Sequence, residues 1–236
     1  MLTLKSRLDS SLKGFLPIGL YAAVGLLAKE LVLYRSHRTG TRKAGAYAGK
    51  IGLKLNIGCG SNRKEGWVNI DLSSNADLTL DMRERIPLSD NSAKIIYSEH
   101  FVEHLDYPEN AKLFLRECFR LLEPNGIFRV GVPDASWPLL SYADVSDGGY
   151  FRACEAERWH PDWCKTRLDH INYHFRQGVD HRYAYDFETM EYVLKETGFV
   201  EIYESEFDPN FDTDSRKLGT LYLNALKPPM VATTSI

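Results

Sequence analysis

The sequence lacks an excess of positive charge, which argues against one broad class of partner. Its 236 residues contain 29 Lys and Arg against 32 Asp and Glu, so the formal net charge is −3. Proteins that bind nucleic acid usually carry a basic surface that neutralises phosphates. We therefore predict no nucleic-acid partner.

Cysteine is scarce as well. The four cysteines are Cys59, Cys118, Cys154 and Cys164, and no two of them form a CxxC pair. We therefore expect reduced, mostly buried thiols and a cytoplasmic location rather than a disulfide framework. The spacing Cys154-x5-His160-x3-Cys164 supplies metal-binding residue types, but it matches no zinc pattern and does not lead us to predict a metal site.

The chain also lacks a hydrophobic run long enough to cross a bilayer. Residues 14–28 are uncharged, but 15 residues fall short of the roughly 20 that a spanning helix needs. No clear secretory cleavage site accompanies them. Two interpretations remain open: residues 1–45 anchor the chain at a membrane surface, or the apolar run is a helix packed on the fold. The basic residues that favour an anchor are Lys5, Arg7, Lys13, Arg35, His37, Arg38, Arg42 and Lys43.

What the sequence does contain is a series of short strand patterns. Residues 53–57 alternate like a β-strand and run directly into Gly58-Cys59-Gly60. A strand followed at once by GxG lets the backbone turn sharply and approach a ligand without a Cβ in the way. By itself this motif is equally compatible with an ordinary tight turn.

Further elements follow the glycine loop in order. Strand patterns occupy residues 67–71, 77–81, 95–98 and 126–133. The first two end in Asp71 and Asp81, and a carboxylate at the end of the second strand can accept two hydrogen bonds from a ribose diol. Residues 106–122 have helical apolar spacing, and we expect an Asp/Glu capping box at their start.

These motifs, in this order, resemble the class I methyltransferases that use S-adenosylmethionine (SAM). The matching stretches are Leu-Asn-Ile-Gly-Cys-Gly at 55–60, Asn-Ile-Asp at 69–71, Glu-His-Leu at 103–105 and Arg-Leu-Leu-Glu-Pro-Asn-Gly at 120–126. The likeness is greatest to a compact subgroup associated with bacterial polysaccharide and lipopolysaccharide biosynthesis. It implies an α/β, Rossmann-like fold: a mostly parallel seven-stranded sheet with helices on both faces and an insert after strand five.

The resemblance also implies which residues bind SAM. They are Asn56, Gly58, Cys59, Gly60, Asp71, Leu72, Asp81, Met82 and Ser98. Within this set Asp71 would bind the ribose hydroxyls, and Asp81 would lie near the adenine amino group with Met82 against the ring. The family usually has an acid in place of Asn56 and a glycine in place of Asn62, so contacts to the SAM amino group would be looser here.

One spacing argument does not depend on the family. About nine residues lead from Gly58 to Gly66, whereas a parallel crossover through a helix takes a dozen or more. One face of the sheet would therefore lack a cover, and parallel sheets need both faces buried. The apolar N-terminal segment is the candidate to fill this gap, so we favour packing over an anchor.

The segment after the fourth strand carries the candidate catalytic residues. His100, Glu103 and His104 have i, i+3, i+4 spacing, so on a helical turn they would share a face toward the crevice at the strand ends. Three roles remain open. A histidine acts as general base, the trio holds a divalent cation as in the similar ExxEH triad of some O-methyltransferases, or Glu103 and His104 brace the helix. The structural role has the largest weight and the metal the smallest.

Residues 135–185 have no counterpart in the family core and would form a lid over the crevice. They are rich in aromatic residues and histidines, and His174 and His181 are secondary candidates for a base or metal ligand. Aromatic faces with polar neighbours suit a sugar ring, and the resemblance to the polysaccharide-associated subgroup implies O-methylation of a sugar or glycan-related acceptor. The alternatives are a lid that is only a small hydrophobic cluster, methylation of an amine or small metabolite, and a non-catalytic scaffold of this fold.

The chain is thus expected to comprise three parts. Residues 1–50 are an N-terminal helical segment followed by a basic linker at 37–50, residues 51–227 are the methyltransferase domain, and residues 228–236 are a disordered tail. Strand patterns at 200–207 and 218–226 would complete the sheet, partly antiparallel. If residues 1–45 bind a membrane, the protein would lie at the inner face of that membrane.

Overall fold

A computed structural model of the chain describes residues 17–144, 146 and 148–230. Its centre is a sheet of seven strands: β1 (Leu53–Ile57), β2 (Val68–Asp71), β3 (Leu78–Thr79), β4 (Ala93–Glu99), β5 (Leu122–Pro133), β6 (Val200–Ser205) and β7 (Thr220–Leu226). The strand order is β3-β2-β1-β4-β5-β7-β6. Strands β1 to β5 are parallel, and β7 is antiparallel to both of its neighbours. The Rossmann-like α/β fold that the sequence predicts is confirmed.

The described helices are α1 (Ile18–Ala44), α2 (Glu109–Leu121), α3 (Ser136–Ala143), α4 (Gly149–Glu157), α5 (Arg167–Arg176) and α6 (Phe187–Thr197). Helices α2 and α6 contact each other and bury apolar side chains such as Phe114 and Met190 in the core. Helix α6 begins where the Asp186 carboxylate accepts a hydrogen bond from the Thr189 amide. Because an ionised acceptor suits a helix start, this end was predictable from sequence.

The predicted capping box of α2 is wrong. The helix begins at Glu109 after Pro108, and no side chain caps it. The backbone carbonyl of Asp106, rather than its carboxylate, accepts hydrogen bonds from the Asn110 and Ala111 amides. A backbone turn thus supplies the bonds that the sequence pattern assigned to side chains.

Helix α1 supplies the missing cover beside β3, but not with the part that the sequence suggested. Its second half packs on the sheet edge, where Leu33, Gly40 and Ala44 are buried. The apolar first half is exposed, with Ile18 at 91% and Leu27 at 62%. The predicted linker at residues 37–50 is corrected accordingly: it is helical to Ala44 and forms a short 3-10 turn afterwards. No described helix is both long and apolar enough to cross a membrane.

Parts of the N-terminal and C-terminal predictions fall outside the described residues. These are the basic residues Lys5, Arg7 and Lys13, the start of the apolar run at residues 14–16, and residues 231–236 of the predicted tail.

The insert after β5 leaves and rejoins the sheet at one point. The Ala135 amide donates to the Tyr185 carbonyl at 3.0 Å, and Asp134 forms a parallel bridge with Tyr185. Between these ends, α3, α4 and α5 contact one another around buried Tyr150 and Cys154. Because the insert starts at the carboxyl end of β5, it rises from the edge of the sheet where the glycine loop lies.

Gly40 and Gly25 provide a test of how α1 is held. A Cβ at Gly40 would overlap the Thr79 carbonyl oxygen, whereas a Cβ at Gly25 meets nothing within 4 Å. Since the Thr79 backbone cannot rotate away, Gly40→Ala should lower the free energy of unfolding by about 1–3 kcal/mol. Gly25→Ala, in the same helix, should raise it by up to about 1 kcal/mol. Chemical denaturation measures both, and equal effects would contradict the packing of α1 on β3.

Candidate cofactor and active site

The glycine loop turns directly from β1 onto the end of β2. The Gly58 amide donates to the Ile70 carbonyl at 2.8 Å. Gly58 has φ +73°, and a Cβ there would lie 2.5 Å from the Phe101 ring, so only glycine fits. At Gly60, φ is +50° and a Cβ would meet nothing within 4 Å. The loop therefore has a tightly packed side at Gly58 and an open side at Gly60.

Asp71 lies against this open side at the end of β2. Its Oδ2 accepts from the Gly60 amide at 3.0 Å, and its Oδ1 accepts from the Ser73 amide at 2.7 Å. An ionised carboxylate offers about four lone-pair sites, so two of them remain for a pair of hydroxyl groups. Leu72, 37% exposed, provides an apolar surface next to it. This open backbone and half-used carboxylate fit the ribose end of SAM.

Asn56 holds the glycine loop in place through hydrogen bonds of its side chain. It is buried, and its Nδ2 donates to the Asn62 carbonyl and to Asn69 Oδ1, each at 2.9 Å. Both amide hydrogens are thus used inside the protein, and Asn62 is held in the same turn. Asn56 therefore positions the glycine loop, while its direct contact with SAM stays a prediction.

Asp81 is tied to α1 by a chain of charged groups. Its carboxylate accepts from Arg83, whose guanidinium also donates to Glu30 of α1, and its amide donates to His37 Nδ1. Burial raises the pKa of Asp81, but the hydrogen bonds and charge of Arg83 outweigh it and leave that pKa below its usual value. Its carboxylate is consequently ionised and already paired. Its predicted contact with adenine stays a prediction.

The other predicted SAM contacts differ in how accessible they are. Met82 is 4% exposed and belongs to the main core, so little of its surface is left for a ring. Cys59 is buried in the loop, and burial raises the pKa of its thiol to about 11. Ser98 is fully buried near the end of β4, and no described residue bonds its hydroxyl.

Beyond β4 the structure brings three imidazoles around one carboxylate. His100 Nδ1 and His104 Nε2 each lie 3.9 Å from Glu103 Oε1, and His181 comes from the end of the insert to join His104 and Glu103. The predicted helical face is wrong, since only Val102–His104 form a 3-10 turn and His100 has φ +51°. The chain between β4 and this turn still places His100 and His104 beside Glu103. The sequence predicted His181 only as a secondary candidate.

Hydrogen bonds at the outer nitrogens orient these rings. His104 Nδ1 lies 3.0 Å from the Asp180 carbonyl, and His181 Nδ1 lies 3.0 Å from the His174 carbonyl. A carbonyl only accepts, so in both rings Nδ1 carries the hydrogen and Nε2 keeps its lone pair. His100 Nε2 donates in the same way to Thr220 Oγ1, which itself donates to the Arg216 carbonyl.

The Glu103 carboxyl group is the most unusual group of the cluster. It is 2% exposed, and neither oxygen has a hydrogen-bond partner among the described residues. Burial raises the pKa of Glu103 to about 8, and burial together with the charge of Arg216 holds the pKa of His100 well below its usual value. Strongly shifted groups at the carboxyl ends of parallel strands are typical of functional sites.

The loop between β6 and β7 closes one side of the site through charged groups that the sequence analysis missed. Arg129 Nε donates to Asp212 Oδ1 at 2.8 Å, and Glu99 accepts from the Thr213 amide and hydroxyl and from the Tyr222 hydroxyl. The partners of Glu99 are more than 100 residues away in sequence. A charged residue inside an apolar strand was the available signal, because such a residue needs a buried partner.

The insert brings together Cys154, His160 and His170 rather than the spaced Cys154, His160 and Cys164. Cys154 Sγ lies 3.8 Å from His160 Nε2, and His160 Nδ1 lies 2.8 Å from His170 Nδ1. The predicted aromatic residues partly pack on one another, as Trp137 does on Tyr150. The insert therefore has a small core of its own, while the residues Trp163 and Tyr142 are 59% and 44% exposed.

A cavity of about 360 Å³ lies apart from these residues. It is lined by parts of residues 41–48 and 85–89, which precede β1 and β4 and therefore lie at the opposite end of the strands. We assign this cavity no part in cofactor binding.

Comparison with known proteins identifies the central part of the chain. A family model described as a methyltransferase domain matches residues 55–130, which run from β1 into β5 and include the glycine loop, Asp71, Glu103 and His104. No curated protein matches the sequence.

Several solved structures have a similar fold. They include a SAM-dependent methyltransferase from Methanosarcina mazei (15% identity, 79% of this chain and 97% of that chain, TM-score 0.48), one from Archaeoglobus fulgidus (18%, 84% and 94%, 0.45), and a possible exported protein from Bordetella parapertussis (13%, 82% and 67%, 0.47). These likenesses are too distant to bear on substrate or residue roles. The match to a methyltransferase domain over the residues that hold the glycine loop and Asp71 supports a SAM-dependent methyltransferase activity.

Replacing Asp71 tests the cofactor site. Asp71→Ala should weaken binding of S-adenosylhomocysteine by about 10- to 100-fold, because hydrogen bonds to a charged group contribute about 1.5–3 kcal/mol. Isothermal calorimetry measures the change. Asp134→Ala is a matched control, since Asp134 directly follows β5 and accepts from the amide two residues later. Unchanged affinity in Asp71→Ala would contradict the ribose contact.

Proposed function

We propose that this chain transfers the methyl group of SAM to a hydroxyl group of a sugar or glycan-related acceptor. The observation that supports it is the unpartnered Glu103 carboxyl surrounded by imidazole lone pairs, at the end of β4 and near the glycine loop. A hydroxyl nucleophile must lose its proton as it is methylated, and this cluster can accept one.

The acceptor hydroxyl loses its proton while its oxygen forms the new bond to carbon. When bound, SAM supplies a methyl group on a positively charged sulfur, which keeps the electron pair of the breaking bond. His100 Nδ1 and His104 Nε2 each lie 3.9 Å from Glu103 Oε1, so the proton that leaves the acceptor can be held by this cluster. The Asp180 carbonyl and the Thr220 hydroxyl keep the outer nitrogens protonated and thus hold the lone pairs inward.

The charges around the site favour a neutral acceptor over an amine. An amine that arrives as a cation needs an ionised, unpaired carboxylate. Glu99 is bonded to Thr213, Tyr222 and Arg216, and Asp134 is bonded to Ser136. The Glu103 carboxyl is unpaired, but burial raises its pKa to about 8, so its neutral form prevails at neutral pH. The exposed aromatic rings of the insert suit the apolar face of a sugar ring. The resemblance to methyltransferases associated with polysaccharide biosynthesis points to the same class of acceptor.

The exposed half of α1 supports a further part of the proposal, a peripheral contact with a membrane surface. Residues 18–28 carry no charge, and most of their apolar side chains are exposed. The basic residues Arg35, Arg38, Arg42 and Lys43 follow on the same helix. An apolar segment next to basic groups binds anionic lipid surfaces without spanning them.

Methyl transfer to a panel of acceptors tests the proposed chemistry. With SAM and sugar or glycan hydroxyl acceptors, we expect formation of S-adenosylhomocysteine and a methyl ether that mass spectrometry detects. Glu103→Gln should lower the rate by about 10²- to 10⁴-fold, as loss of a general acid–base group does, and leave S-adenosylhomocysteine binding unchanged.

His170→Gln is the control, because it removes an imidazole from the insert outside the Glu103 cluster. Transfer to amines alone would contradict the acceptor class. An active Glu103→Gln enzyme would contradict the role of the cluster.

Vesicle binding tests the membrane contact. The double variant Leu20→Glu/Leu27→Glu should abolish sedimentation with anionic phospholipid vesicles, because it places two charges on the exposed apolar surface. Ile51→Glu is the control, since Ile51 is equally apolar and 81% exposed but lies outside α1. If wild type and double variant sediment equally, α1 does not bind lipid.

A further inference from the structure

Glu103 has no partner among the described residues that explains its burial. Both carboxyl oxygens are shielded from solvent and unbonded, although residues 182 and 183 use its backbone carbonyl. Burying a polar group without a hydrogen bond costs roughly 1–3 kcal/mol, and more if the group is charged. A fold that retains such a group usually provides a partner for it at some stage of its function.

The imidazole nitrogens that lie beside the Glu103 carboxyl are acceptors rather than donors. His104 and His181 both direct Nε2 lone pairs inward, because the carbonyls of Asp180 and His174 hold their Nδ1 hydrogens. One atom each from Glu103, His104 and His181 lies within 4.8 Å of the others. An ionised Glu103 offers no hydrogen to these two lone pairs, and a protonated Glu103 could donate to only one of them. The group that would satisfy all three is a cation.

We propose that Glu103, His104 and His181 bind one divalent cation of the zinc type. Two imidazoles and one carboxylate are a set of ligands that zinc uses at catalytic sites, where a further position stays open for water or substrate. Magnesium prefers an all-oxygen site, which these residues do not form. Metal-binding histidines commonly donate their second ring nitrogen to a backbone carbonyl, and both histidines here do so.

The distances leave room for an ion. Tetrahedral bonds of about 2.1 Å place ligand atoms about 3.4 Å apart, and His104 Nε2 now lies 3.9 Å from Glu103 Oε1. Binding thus requires the side chains to move inward by about an ångström or less, without a change in the hydrogen bonds at the outer nitrogens. His181 ends the insert and Glu103 follows β4, so the ion would also join the lid to the sheet.

The role of the ion rests on the proposed function, whereas its binding rests on the geometry alone. A cation at this place would hold the oxygen of an acceptor hydroxyl at its open position and lower the pKa of that hydroxyl. Glu103 and His104 would then be ligands, so the proton of the hydroxyl would pass to His100, whose Nδ1 lone pair faces the same site.

Metal titration of the full chain, after removal of bound metal with a chelator, tests the proposal. Calorimetry with Zn²⁺ should show a site that Glu103→Gln, His104→Gln and His181→Gln each weaken by at least about 100-fold, more than loss of an outer partner does. The visible spectrum with Co²⁺ should change in the same variants. Circular dichroism and S-adenosylhomocysteine binding confirm that each variant is folded.

The insert provides the matched control, because Cys154, His160 and His170 form a second cluster of metal-binding residue types. Cys154→Ser and His170→Gln should leave the Glu103 site unchanged, and its Co²⁺ complex should lack the intense near-ultraviolet band of thiolate ligation. The proposal is overturned if folded wild type binds neither ion. It is equally overturned if binding disappears in Cys154→Ser and survives in His181→Gln. A chain that binds the ion but methylates no hydroxyl acceptor would contradict the proposed function and leave the metal site standing.

Discussion

The parallel pairing of β1 with β2 and β4 is the constraint on which the site depends. Parallel strands end at the same edge of a sheet, so the glycine loop after β1, Asp71 at the end of β2 and the cluster after β4 all meet there. The strand order reverses on the two sides of β1, which opens a crevice between the chain segments that leave β1 and β4. The glycine loop, Asp71 and the Glu103 cluster therefore border the same crevice.

The same sheet explains why charged residues are buried around the crevice. Arg129 and Glu99 lie in strands that are covered on both faces, so each needs a partner, and Asp212 and Thr213 of the β6–β7 loop provide one. These bonds fix the loop as one wall of the crevice. Glu103 differs, because its oxygens have no such partner among the described residues. Because the neighbouring charged groups all have hydrogen-bond partners, the unpartnered Glu103 carboxyl is best explained by a ligand that binds at this site.

Helix α1 has two halves with different surroundings. The second half substitutes for a crossover helix that the short β1–β2 and β2–β3 links cannot contain, and Gly40 lets it approach the Thr79 carbonyl. Hydrogen bonds from Arg83 to Glu30 and to Asp81 couple the middle of the helix to the predicted adenine side of the cofactor site. Near the start of the helix most apolar side chains are exposed, among them Ile18, Leu20 and Leu27.

Local patterns in the sequence were enough to predict the succession of strands along the cofactor half, the glycine loop and Asp71, because each depends on neighbouring residues and on alternation or turn chemistry. They did not determine which part of α1 is buried, since burial depends on what β3 presents to it. They also do not predict that His181 contacts Glu103 or that Arg129 bonds Asp212. Nor do they predict that His170, rather than Cys164, joins Cys154 and His160 in the insert. These contacts link residues that are distant in the chain, and only the closed tertiary structure decides which side chains share a volume and which hydrogen bonds orient them.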